Sequence, residues 1–117
     1  MENDDKLNEK IEQRKKMLKR VKEGLIERLN LNKSINQIDD DTPLFGSGLK
    51  LDSVDATEII VFLNDEFNIQ VTEGDDPSYM RTINSLTTFI LNKQRENKKK
   101  MRVIIIKLYH FYLLEML

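Results

Sequence analysis

Asp52-Ser53-Val54-Asp55 is the one stretch of this chain whose residue types and spacing suggest chemistry. It stands where a glycine-containing loop gives way to a helical pattern. Asp52 is expected to be the N-cap, accepting a backbone N–H from the first turn, and Asp55 complements the helix dipole. Both aspartates then have structural tasks, and Ser53 is left free. As the first helical residue, its hydroxyl points out from the positive end of the helix, where a phosphate ester would meet free N–H groups. Serine is common at helix starts, so these four residues alone leave two readings. Ser53 is either part of an ordinary cap or a hydroxyl to which another enzyme attaches a group.

Other chemistry is sparse. The single histidine, His110, lies far from Ser53 in the sequence, which argues against a Ser-His-acid triad. No glycine-rich phosphate loop follows a strand. Asp55 and Glu58, one turn apart, read as a solvated acidic helix face rather than an acid–base pair. Asp39-Asp40-Asp41 invites a calcium reading, but the sixth residue from Asp39 is Leu44 where that loop needs glycine. There is no cysteine, hence no disulfide framework and no thiolate metal site. No enzyme and no metal centre are expected.

The elements that must position Ser53 are helical. The chain of 117 residues is sized for one small domain. Residues 6–29 carry Leu7, Ile11, Leu18, Val21, Leu25 and Leu29 at helical steps. The charged first half is expected to project into solvent and the half from Met17 to join the core. Residues 30–51 have no period and hold Pro43, Gly46 and Gly48. Ile35, Ile38, Leu44, Phe45, Leu49 and Leu51 are the anchors available to such a long connection. Residues 53–67 predict the clearest helix, with Ala56, Ile59, Ile60, Leu63 and Phe67 as its inward stripe. Val54 and Val61 fall off that stripe, as extra core or as an exposed contact strip. A short helix near 76–80 and a last one over 82–92 follow, the latter capped by Thr82 with Ile83, Leu86, Phe89 and Ile90 inward. The fold class expected is all-α, a small four-helix bundle with a long loop between its first two helices. The expected division is a charged helical extension over 1–16, a domain over 17–94 and a tail over 95–117.

Charge is unevenly spread. Residues 1–30 hold nine Lys/Arg against seven Asp/Glu, residues 31–91 three against eleven, and residues 92–117 seven against two. An acidic centre repels nucleic acid and suits basic protein partners. The charged start has no apolar stretch, so no secretory signal is expected and the cytoplasm is the expected location.

The run from Phe45 through Gly46, Gly48, Leu49, Leu51, Asp52, Ser53, Val54, Asp55 and Glu58 to Ile60, with Asp65-Glu66-Phe67 beyond it, resembles the attachment site of acyl carrier proteins. In that family D-S-L-D or D-S-V/I-D opens the second helix. The resemblance spans residues 17–92. It implies that Ser53, next to Asp52, carries covalent 4′-phosphopantetheine installed from coenzyme A by a phosphopantetheinyl transferase. The working thiol would belong to that group, which fits a chain without cysteine. The protein would hold acyl groups as thioesters for acyl-loading, elongation and acyltransferase enzymes of fatty acid, related lipid or polyketide assembly. Those partners would meet Val54, Asp55, Glu58, Val61 and Asp65 on an acidic helix. The inward apolar residues of that helix and of the last one would line a cleft for the acyl chain. An aminoacyl carrier (D-alanyl or peptidyl) would use the same Ser53 chemistry, and an unmodified helical adaptor would use Ser53 only at its cap. Lys50 stands where many members have glycine, Asn64 where an acid is frequent, and Gly74-Asp75-Asp76-Pro77 is expected to shift the third helix.

Residues 98–117, KKKMRVIIIKLYHFYLLEML, lie outside the resemblance. Their apolar run is interrupted by Lys107, His110 and Glu115, which disfavours a spanning helix. The expectations for it are packing on the bundle, self-association, a strand-like run at 103–106, or contact with an anionic membrane surface.

Overall fold

The computed structural model describes residues 2–117. The described residues form three α-helices: α1 (Glu2–Arg28), α2 (Ser53–Phe67) and α3 (Ile83–Met116). A 3-10 turn, Pro77–Met80, takes the place of the third helix of the expected bundle, and a second turn, Ile35–Gln37, lies in the long loop. The fold is all-α.

The core draws on every element. Met17, Val21 and Leu25 of α1 are buried at successive turns, while Leu7 and Ile11 on the same stripe are exposed. The chain leaves α1 through Asn30, whose left-handed φ of 52° suits a small polar side chain. Leu31 N–H reaches Ile26 C=O at 3.0 Å, so that carbonyl in the last turn of α1 is satisfied.

Helix α2 has the expected bounds, but its inward face takes Phe62 in place of Ile60 and leaves Ala56 half-buried. Ile59, Phe62, Leu63 and Phe67 are buried, and Ile60 is 39% exposed. The reason lies in α1. A Cβ on Gly24 would fall 2.2 Å from Phe62 Cζ, so the missing side chain at Gly24 is the hole that receives the ring.

The long loop is held mainly by backbone hydrogen bonds to the start of α3. Leu44 N–H donates to Arg81 C=O at 3.0 Å, Ile83 N–H to Thr42 C=O at 3.3 Å and Asn84 N–H to Asp40 C=O at 2.8 Å. Two acids of the triplet add side-chain ties, Asp40 to α1 and Asp41 to α3. Asp40 meets Lys22 at 2.7 Å, and Asp41 accepts from Asn84 Nδ2 at 2.7 Å. Ile38, Leu44 and Leu51 are buried under the loop, with Phe45 and Leu49 half-buried. Ile35 does not join the core cluster.

Asp76 caps the turn that follows α2, accepting from Ser78 N–H at 2.9 Å, and Thr82 caps α3 by accepting from Ser85 N–H at 3.0 Å. Ile83, Leu86 and Ile90 face inward. Phe89 is half-buried and stacks on Tyr79 with ring centroids 4.2 Å apart. The end expected near Asn92 is overturned. No glycine or proline follows Pro77, so nothing stops the helix, and α3 runs on to Met116. Residues 101–116 are helical, and they and Leu117 are exposed. The strand-like reading of 103–106 and the fold-back onto the bundle are therefore both corrected.

Candidate functional site

The path into Ser53 is fixed by the loop. Leu49 N–H donates to Pro43 C=O at 2.9 Å and Leu51 N–H to Leu44 C=O at 3.0 Å. Gly48 is required at this crossing, because a Cβ there would lie 1.9 Å from the Pro43 carbonyl oxygen. Lys50 takes a left-handed φ of 57°, a conformation that glycine adopts without strain. That turn buries Leu51 and leaves Asp52 and Ser53 in solvent.

Asp52 is the N-cap of α2. Its Oδ1 accepts from Asp55 N–H at 2.9 Å, and its own N–H donates to Asp55 Oδ2 at 2.9 Å. The Asp55 N–H, above all, holds the Asp52 carboxyl below the usual carboxylate range. This reciprocal box leaves Ser53 outside the cap. Ser53 is exposed at the first helical position, its C=O accepts from Thr57 Oγ1 at 3.2 Å, and Val54 beside it is 74% exposed.

A phosphate ester fits such a serine. The hydroxyl is open to an incoming enzyme, and it stands at the positive end of a fifteen-residue helix. Lys50, three residues before it, is also exposed.

The acids expected to face partners are engaged inside the molecule. Arg28 of α1 reaches Asp65 at 3.0 Å and Glu58 at 3.4 Å. Its pKa is raised, most of all by the hydrogen bond to Asp65. Asp55 is committed to the cap. The exposed face that descends from Ser53 is instead uncharged: Val54, Thr57, Ile60, Val61 (41% exposed) and Asn64. Sequence reading missed Ile60 on this surface. Its spacing fits the buried stripe equally well, and only the Gly24 hole tips α2 toward Phe62.

The apolar residues expected to line an acyl cleft are closed on one another. Ile59, Leu63, Ile83, Leu86 and Ile90 have essentially no exposed surface. An open depression of about 490 Å³ lies beside the loop instead, lined by Pro43, Phe45, Pro77, Met80, Arg81 and Thr82. Among the described residues no group of His, Cys, Asp and Glu is arranged to hold a metal ion.

A family model described as a phosphopantetheine attachment site matches residues 19–90. The chain belongs to that family. It is also 31% identical over 74 residues to an acyl carrier protein of Chlamydia caviae, across 63% of this chain and 91% of that protein. No solved structure matches. The family's prosthetic group is 4′-phosphopantetheine, and the role is that of a carrier. The matched stretch takes in the loop, the Asp52 cap and the whole of α2. It stops at Ile90, the last core residue of α3, before the carrier's exposed C-terminal half-helix begins.

Proposed function

We propose that Ser53 is the residue of this carrier that bears 4′-phosphopantetheine, and that the protein holds acyl intermediates as thioesters for fatty acid or related lipid or polyketide assembly. The observation that carries the assignment is the division of labour at the start of α2. Asp52 and Asp55 satisfy the helix terminus between themselves, and the exposed Ser53 hydroxyl is left for attachment. When bound, the group supplies a thiol and the reach to enter another enzyme's site. The chain's own residues position it. The Pro43–Leu49 and Leu44–Leu51 hydrogen bonds fix the loop, the cap fixes the first turn, and the helix dipole favours the phosphate charge. Catalysis belongs to the enzymes that load, extend and unload the group.

The uncharged face of Val54, Ile60 and Val61 is the proposed landing strip for the transferase and the acyl-handling enzymes. Asp55, Glu58 and Asp65 border it as carboxylates already bonded within the molecule, so they set orientation more than long-range attraction.

Incubating the protein with coenzyme A, magnesium and a broad-specificity phosphopantetheinyl transferase, followed by intact mass measurement, tests the assignment. A single phosphopantetheine adduct on the wild type and none on folded Ser53→Ala is the expected result. An adduct that persists on Ser53→Ala would place the attachment elsewhere.

A further inference from the structure

Helix α3 outlives the bundle it belongs to. Its last core residue is Ile90, yet it continues unbroken to Met116 with residues 101–117 wholly exposed. Helical geometry places apolar side chains on every side of this half-helix. Ile104, Ile105, Leu108, Phe111 and Tyr112 share one side with Glu115, while Val103, Ile106, Leu113 and Leu114 stand among Arg102, Lys107 and His110 on the other. Lys98, Lys99 and Lys100 stand just before it. Among the described residues, none of the five cations of residues 98–107 is paired with a carboxylate. Glu115 is the single acid in residues 98–117.

We propose that residues 98–117 form an interfacial anchor that seats the carrier on a membrane surface rich in anionic lipid. The apolar and aromatic side chains enter the boundary between headgroups and acyl chains, and the unpaired cations, four of them at the start of the segment, meet the lipid phosphates. Charge decides between a lipid surface and a second copy of the chain. Two such helices side by side in parallel would oppose five cations with five, and in either direction ten cations would share two carboxylates, whereas an anionic surface neutralises them. The helix lies along the surface, since no described helix is long and apolar enough to cross a membrane and Lys107 interrupts the apolar run.

The anchor leaves the candidate attachment site free. Pro43 pairs with Thr82 and Leu51 N–H binds Leu44 C=O, so the loop leading to Ser53 is tied to the start of α3, away from the anchor at its other end. The proposal does not rest on Ser53 being modified.

The test is co-sedimentation of the full chain with vesicles of phosphatidylcholine alone and of phosphatidylcholine mixed with phosphatidylglycerol. Analytical ultracentrifugation without lipid is run alongside. Binding to the mixed vesicles, weakened by salt and far above that to the neutral ones, is expected. Reversing Lys98, Lys99 and Lys100 to glutamate should lower partitioning by about a hundredfold or more, at roughly fivefold or greater per charge. Ile105→Asp with Leu108→Asp should abolish it, with the bundle's melting transition unchanged. Equal binding to both vesicle types, or to neither, would overturn the proposal. So would a concentration-dependent dimer without lipid that the Ile105/Leu108 variant dissolves. The wild-type comparison decides even if a variant folds poorly.

Discussion

Asp52 and Asp55 cap α2 for each other: Asp55 N–H donates to Asp52 Oδ1 and Asp52 N–H to Asp55 Oδ2, both at 2.9 Å. Ser53 sits between them with no part in the exchange. Asp52→Ala should therefore lower the melting temperature, Asp52→Asn should retain most of it, and Ser53→Ala should leave it unchanged. Thermal melts of the three variants check this. A loss in Ser53→Ala as large as that in Asp52→Ala would make Ser53 the cap.

The same bonds set an acid limit. Asp52, Asp75 and Asp76 are all held below the usual carboxylate range, chiefly by the N–H groups of Asp55, Thr72 and Ser78. A depressed folded-state pKa contributes stability that is present above the unfolded value. It is lost as pH falls through the folded one. Stability should be flat from neutrality to the ordinary carboxyl range and fall below it. Denaturant midpoints across acid pH measure this, and Asp52→Asn should make the fall shallower.

Gly24 and Phe62 are a matched hole and ring. Gly24→Ala gains helix propensity, about 1 kcal/mol, but puts a Cβ 2.2 Å from a buried ring that has nowhere to swing. A net loss of about 1–2 kcal/mol is expected, in the range of overpacked cores. Phe62→Leu should cost less in the Gly24→Ala background than in the wild type. Additive losses would show that the two residues do not share the space.

Gly48 and Lys50 shape the approach to Ser53. Gly48→Ala drives a Cβ into the Pro43 carbonyl, a backbone atom held by Leu49 N–H, and should cost about 1–3 kcal/mol. It should also slow transferase modification, by displacing the loop. Lys50→Gly relieves a left-handed backbone worth about 1–2 kcal/mol, partly offset by the chain entropy of glycine. Equal or higher stability is expected. Urea melts combined with modification rates test both.

On the outer face of α2, Val54→Asp and Ile60→Asp should slow modification and acyl transfer while leaving the fold intact, because both side chains are exposed. Arg28→Met keeps an apolar stem near the Phe62 ring but releases Glu58 and Asp65. Association with basic partners should then become more sensitive to salt than in the wild type. Rates measured across ionic strength separate the two effects. An unchanged salt slope in Arg28→Met would mean that the two carboxylates do not steer partners.

The sequence by itself determined what neighbours a few residues apart control. Asp52 and Thr82 are caps because each accepts from a backbone N–H three residues on. The bounds of α2 follow from its apolar period and from Asn68, which takes a left-handed φ of 53° at its end. The freedom of Ser53 is legible for the same reason. Only the tertiary structure decided the rest, because those contacts join residues far apart in the chain. Gly24 selects Phe62 over Ile60 for the core from another helix. Arg28 takes Glu58 and Asp65 out of the free acidic face across thirty and more residues. The end of the bundle is set in the same way. The absence of glycine and proline says that α3 can continue past Asn92, but only the packed bundle shows that nothing in it covers residues 101–117.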